Sequence, residues 1–194
     1  MQELLASAML GATEAFVPEA RPAAEPVRRV KVEMRVARGY LQSFEGDAAQ
    51  PGPPVDVLSV GHYLGVVPQG AERALDEEIS KALLARQDRP FQQLHESDLL
   101  LTQYSERGVL RGDLGQPFFL DDPRQPGRLI VLAGMGVPGR FGMPELTVLA
   151  RELYWSLSRL GKKHLATVLI GTGTGNLSVE EAIRAWVRGV QQVA

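Results

Sequence analysis

The residues best equipped for chemistry are six in a row: Gly171, Thr172, Gly173, Thr174, Gly175 and Asn176. Glycine at every second position lets the backbone take positive φ values and turn successive N–H groups toward one point. A loop built this way binds an anion without a cationic side chain. Just beyond it, Ser178 opens the sequence S-V-E-E with Glu181 three places later, the capping-box spacing of a helix N-terminus. The helix adds the positive end of its dipole to those amides, so the chemistry on offer is phosphate binding. The pattern is neither G-x-G-x-x-G nor G-x-x-x-x-G-K-S/T, because no lysine follows the glycines. It also fits a tight strand-to-helix turn that binds nothing.

A second glycine-rich loop, residues 136–142 (GVPGRFG), adds Gly136, Arg140 and Phe141 as candidate ligand contacts. Arg140 can pair with a phosphate and Phe141 can stack on a base. A solvated arginine and a phenylalanine that anchors the loop is the plainer alternative. His62 ends an apolar run, where an imidazole can touch a ligand or move a proton near neutral pH. A loop histidine bonded to backbone competes with that role. His62, His95 and His164 are far apart and form no H-E-x-x-H pattern, so no metal site is expected. Asp121-Asp122 before Pro123 fits a turn with exposed carboxylates better than a metal site. No G-x-S-x-G surrounds a serine, which leaves a serine hydrolase without support. Tyr154, Trp155 and Trp186 fall on helical patterns and suit core or interface positions.

These residues need elements to position them. Residues 165–170 (LATVLI) carry no charge and suit a strand buried on both faces of a largely parallel sheet. Val179, Ala182, Ile183, Trp186 and Val190 repeat at helical spacing and predict a helix packed on that sheet. Pro144 at a helix start, Leu146, Leu149, Ala150, Leu153, Leu157 and Leu160 in register, and Gly161 as a C-terminal cap predict another helix, over 144–160. Residues 71–86 predict a third, with Ala74, Leu75, Ile79, Ala82 and Leu83 inward. Strands are predicted over 27–37, 55–61, 116–120 and 128–134; the first alternates Val30, Val32, Met34 and Val36 with charged residues and suits an edge. Residues 98–103 fit a strand or a helical turn. Alternation of strands and helices from residue 55 onward makes the class α/β with a mixed sheet. Ligands gather at the carboxyl ends of such strands, where loops 61–70, 133–142 and 171–176 would form a glycine-lined cleft.

The composition is that of an ordinary globular chain: 194 residues, 44% hydrophobic, 23% charged, net charge -2. That charge gives no basic footprint, so neither nucleic acid nor an anionic membrane is an expected partner. No apolar run reaches the roughly 20 residues that span a bilayer. The acidic N-terminal stretch lacks the basic region of a secretory signal. With no cysteine, disulfides and thiolate chemistry are excluded, and the cytoplasm is the expected compartment. Residues 1–16 predict a short helix that needs a partner, either another domain or another chain, and 17–26 a Pro/Ala-rich linker before a domain at 27–194.

The order of strand, GHYLGVVPQGAERALDEEI, strand pair, glycine loop, helix, strand and GTGTGNLSVEEAI resembles the macro domains, and more closely the macro-like N-terminal domain of leucyl aminopeptidases. Ile170 to Ile183, IGTGTGNLSVEEAI, stands where macro domains carry the segment that holds the diphosphate of ADP-ribose. The resemblance implies a three-layer α/β/α domain with a mixed central sheet. It departs elsewhere: Gly39-Tyr40-Leu41 replaces the Gly-Asp-Ile whose carboxylate recognises adenine, Ser59-Val60-Gly61-His62 replaces an asparagine-rich segment, and Val67-Pro68-Gln69-Gly70 replaces a glycine run. The peptidase signature is absent too, which implies one domain of a longer polypeptide. A module without catalytic activity or cofactor follows, serving assembly or regulation, or binding a phosphate-bearing nucleotide such as ADP-ribose. The alternative is an enzyme acting on an ADP-ribose-type substrate through His62 and the glycine loop.

Overall fold

A computed structural model describes residues 30–44, 54–87, 94–173 and 176–193. The expected N-terminal helix at 1–16 and linker at 17–26 lie outside the described residues, as do Thr174 and Gly175 of the glycine turn. The chain divides into units of residues 1–31 and 32–194; of the first, only Val30 and Lys31 are described, and both are exposed.

Within the second unit the elements run β1 (Val57–Tyr63), α1 (Gly70–Arg86), α2 (Leu100–Glu106), β2 (Pro117–Asp121), β3 (Leu129–Gly136), α3 (Met143–Arg159), β4 (Leu165–Thr167) and α4 (Val179–Gln191). The sheet order is β2-β3-β1-β4. β1 runs parallel to both β3 and β4, while β2 returns antiparallel to β3. A two-residue period sends alternate side chains of each strand to opposite faces, and both faces are covered by helices. On one face, Val57, Val131 and Ala133 pack with Leu146, Leu149 and Leu153 of α3 and Ala182, Ala185 and Trp186 of α4. On the other, Leu58, Val60, Ile130 and Leu132 pack with Leu75 and Ile79 of α1 and Leu101 of α2. The result is the expected α/β/α sandwich around a mixed sheet.

Local chemistry sets the helix ends. The N–H of Gly142 donates to Glu145 Oε2 at 3.0 Å, with Pro144 in the first turn of α3. Gly161, at φ +68°, ends that helix as its spacing predicts. At α4 the N–H of Glu181 donates to Ser178 Oγ at 3.2 Å and that of Ser178 to Glu181 Oε2 at 2.9 Å, the predicted reciprocal pair. α3 and α4 approach closely because position 189 is glycine: a Cβ there would lie 2.6 Å from Thr147 O and 2.7 Å from Ala150 Cβ. Trp186 is buried in this layer, whereas Trp155 of α3 is exposed beneath the Arg159 guanidinium, 4.9 Å from the ring centre.

Three readings of the sequence change. Residues 98–103, open between strand and helical turn, belong mostly to helix α2. Its first amides are satisfied from another helix: Asp76 accepts from Leu101 N–H at 2.8 Å, Thr102 N–H at 2.9 Å and Thr102 Oγ1 at 2.8 Å. The described residues 30–37 of the predicted strand 27–37 pair with no described strand, and Val32, Met34 and Val36 are exposed. Residues 165–170 form a strand only over Leu165–Thr167, at the end of the sheet and half-buried, because beyond Thr167 the backbone leaves β1 for the glycine turn.

Candidate functional site

Because β1, β3 and β4 are parallel, their carboxyl ends lie along one edge, and the loops that follow them meet there. Tyr63 closes β1 opposite Gly136, and the N–H of Leu64 donates to Gly136 O at 2.9 Å. Phe141, from the loop after β3, is buried edge-on against Tyr63, with ring centres 6.1 Å apart at 86°. The same ring reaches the glycine turn: a Cβ on Gly171 would lie 3.0 Å from Phe141 Cε1 and 2.7 Å from Leu177 Cδ1. Gly171 also holds φ at +89°, so glycine is required there twice over. Phe141 is thus the anchor of the loop, the plainer of its two roles.

The turn keeps some of its donors for itself. Thr172 gives both its N–H, at 3.2 Å, and its hydroxyl, at 2.8 Å, to Leu169 O, and Leu177 N–H donates back to Gly171 O at 3.1 Å. The Thr172 amide is therefore committed within the turn rather than offered outward. Gly173 differs: among the described residues a Cβ there would meet nothing within 4 Å, so none of them demands glycine at this position. Asn176 is exposed and sits in the left-handed region at φ +58°, a conformation asparagine tolerates. From there Leu177 and Ser178 lead into the N-terminus of α4.

Beside the turn, Gly136 and Arg140 line a cleft of about 310 Å³ together with Leu64, Asp113, Leu114 and Glu145. Asp113 pairs with Arg111 at 2.9 Å and Glu145 with the Gly142 amide, while Arg140 makes no ion pair among the described residues. Gly134 and Gly136 let the backbone of residues 112–116 cross the strand end; a Cβ on Gly134 would fall 1.9 Å from Asp113 O. Arg140 and Phe141 are adjacent, so one loop borders both the cleft and the glycine turn.

His62 lies elsewhere. With Gly61 directed toward Met135 and Ile170, the alternation of β1 sends His62 to the α1 face, where it is 1% exposed. Its Nδ1 and Glu72 Oε1 share a hydrogen bond of 2.7 Å, and Nε2 is buried with no partner among the described residues. Gly112 covers the ring: a Cβ there would lie 2.8 Å from His62 Cδ2. Burial pushes the Glu72 carboxyl up, the contacts with His62 pull it back in part, and Asp76 adds to the rise. The structure therefore places His62 inside the wall beside the cleft and not at its surface.

Sequence reasoning missed the buried acids. Asp122 was expected to be an exposed turn carboxylate, yet it is buried while Asp121 is exposed. It holds Arg124 at 2.8 Å and Arg128 at 2.7 Å. Burial raises its carboxyl, but the two guanidiniums outweigh that and keep it below the usual range. A second cleft of about 500 Å³ lies beside these arginines, lined also by Glu78 and Gln42, away from the parallel strands' carboxyl edge. Arg124 and Arg128 at four-residue spacing after Asp122 were the available signal. Among the described residues no group of three or more acids and histidines is placed to hold a metal, and no helix is long and apolar enough to cross a membrane.

Neither a known protein family nor a curated protein matches the sequence. Solved structures do match the fold. The macrodomain of Mycobacterium tuberculosis DarG is similar at a TM-score of 0.56 with 16% identity, over 81% of this chain and 89% of that one. The macrodomain of Thermus aquaticus DarG is similar at 0.50 with 18% identity, over 77% and 89%. The Oceanobacillus iheyensis macrodomain with MES bound is similar at 0.51 with 13% identity, over 79% and 72%. At such identities the likeness is one of architecture: this chain has a macrodomain fold.

Proposed function

We propose that this chain is a non-catalytic macro-like module that binds a phosphate-bearing nucleotide of the ADP-ribose class at the carboxyl edge of β1, β3 and β4. One observation carries the reading: the loop after β3 and the glycine turn after β4 meet through Phe141 and Gly171, with no described residue within 4 Å of a Cβ on Gly173 and with Arg140 in the adjoining cleft. In this reading the diphosphate lies against Gly173, Thr174, Gly175 and Asn176 at the N-terminus of α4, with Arg140 as the pairing cation. The absence of catalysis is supported by His62, which is the strongest candidate for proton transfer and is sealed beneath Gly112.

A second reading, an assembly or regulatory domain of the kind found at the N-terminus of leucyl aminopeptidases, is favoured by the turn's own bonding. Both Thr172 donors are spent on Leu169 O, so the turn holds its shape without a ligand.

Calorimetry with ADP-ribose distinguishes the two. Binding by the unaltered chain, its loss in Gly173→Glu, and a roughly tenfold weakening in Arg140→Ala, the cost of one charge-assisted hydrogen bond, support the nucleotide module. Gly173→Glu is a suitable probe because a Cβ at that position meets none of the described residues within 4 Å. No heat at millimolar ligand leaves the assembly role, and release of ADP-ribose from a modified protein would establish a hydrolase instead.

A further inference from the structure

We propose that the cleft beside the β2–β3 turn binds a small phosphate monoester, with Arg128 as the group that holds the phosphate. The turn, residues 122–128, carries positive charge that its own acid does not balance. Asp122 is its one carboxylate, and two guanidiniums share it, Arg124 at 2.8 Å and Arg128 at 2.7 Å. Two further cations meet the turn on neutral carbonyls: Arg86 donates to Pro123 O, and Lys162 to Gly127 O at 2.7 Å.

Within that cluster Arg128 is the group left over. Its Nε donates to Asp122 Oδ2, and neither Nη has a partner among the described residues, although the side chain is only 7% exposed. A guanidinium so far out of water pays a desolvation cost that an oxyanion offsets, because the planar fork meets two oxygens at once. The space for that anion adjoins it: Arg128 and Arg124 line the cleft of about 500 Å³ with Gln42, Ser43, Gln125 and Glu78. Small-molecule sites fall in this range, roughly 300 to 1,000 Å³. A phosphate monoester brings three acceptor oxygens and about −1.5 to −2 charges near neutral pH, enough for both Nη atoms and the surplus charge together. Lys81 neutralises Glu78 at 2.8 Å, so that carboxylate can accept from hydroxyl groups without setting a bare charge against the phosphate. With the amides of Gln42 and Gln125 it suits a polyhydroxylated body, which makes a sugar phosphate the ligand class. Arg128 precedes β3 and Arg140 follows it, so this cleft and the candidate nucleotide site lie at opposite ends of one strand.

Calorimetry on the full chain carrying Gly173→Glu, which sets a carboxylate in the glycine turn, tests this cleft apart from that site. The probes are glucose 6-phosphate, inorganic phosphate and glucose. The ester is expected to bind at least about tenfold more tightly than inorganic phosphate, the effect of one or two hydrogen bonds to its body, while glucose gives no heat. Arg128→Lys keeps the charge and loses the fork, and should weaken the ester about tenfold. Ser43 is exposed and takes no part in the Asp122 pairs, so Ser43→Glu keeps the fold and should weaken the ester to a similar degree, about tenfold, by repulsion. No heat from the ester at millimolar concentration overturns the proposal. So does binding that inorganic phosphate or glucose matches, or that is undiminished in Ser43→Glu or in a folded Arg128→Lys.

Discussion

On one face of the sheet, α3 and α4 meet through leucines, alanines and Trp186 at a distance set by Gly189, and contact there is a matter of shape. On the other face, α1 and α2 are joined by buried polar groups: Asp76 receives three hydrogen bonds from the start of α2, and Ser80 Oγ accepts from Leu100 N–H at 2.9 Å. His62 and Glu72 belong to that second face. The glycine turn hangs from the first through Phe141 and Leu177. The candidate ligand site is therefore mounted on the layer whose helices bury no titratable group, and Glu72 and Asp76 lie across the sheet from it. The candidate site and the buried titratable groups thereby belong to different layers.

That division can be broken from either side. The largest effect belongs to Asp76→Ala, which strands the Leu101 and Thr102 donors in the interior; unfolding in urea should show a loss of about 3 kcal/mol or more. Gly189→Val should cost about 2 kcal/mol by forcing α4 away from Thr147 and Ala150, since valine recovers only a few tenths of a kcal/mol, roughly, in helix propensity over glycine. If Asp76→Ala proves milder than Gly189→Val, the polar layer is not the more demanding of the two.

The smallest effect sharpens the contrast through pH. Glu72 has its folded value raised above the ordinary 4.5, chiefly by burial. Folding thus favours its protonated form, and the stability linked to it is complete below 4.5 and lost as pH rises through the raised value. Glu72→Gln, which cannot ionise, should remove that decline from a plot of unfolding free energy against pH. An unchanged slope would mean that the polar layer does not sense pH through this group.

Much of the fold was legible where the cause was local. Ser178 with Glu181, Pro144, and Gly161 mark helix ends because each acts on residues within a turn of itself. α2 resisted such reading because its cap comes from Asp76, on another helix and more than twenty residues earlier in the chain. In the sequence His62 reads as a residue following the strand, either touching a ligand or bonded to backbone; it lies inside β1 and is bonded to the Glu72 side chain. Its direction depends on the parity of the β1 register, which an apolar run with Gly61 in it does not reveal. Thr172 illustrates a different limit: a glycine-rich turn shows where amides can be aimed, but Leu169 O, three residues back, decides that this one turns inward.

The chain's two tryptophans lie on the α3–α4 layer, Trp155 in solvent at 47% exposure and Trp186 enclosed at 8%. Intrinsic emission consequently has a quenchable reporter and a shielded one, both on the same side of the molecule. Iodide will extinguish the first and spare the second until α4 detaches, while loosening of α1 from α2 passes unseen at those wavelengths. A fluorescence melt of this protein is in effect a recording of one half of it, and circular dichroism must supply the other.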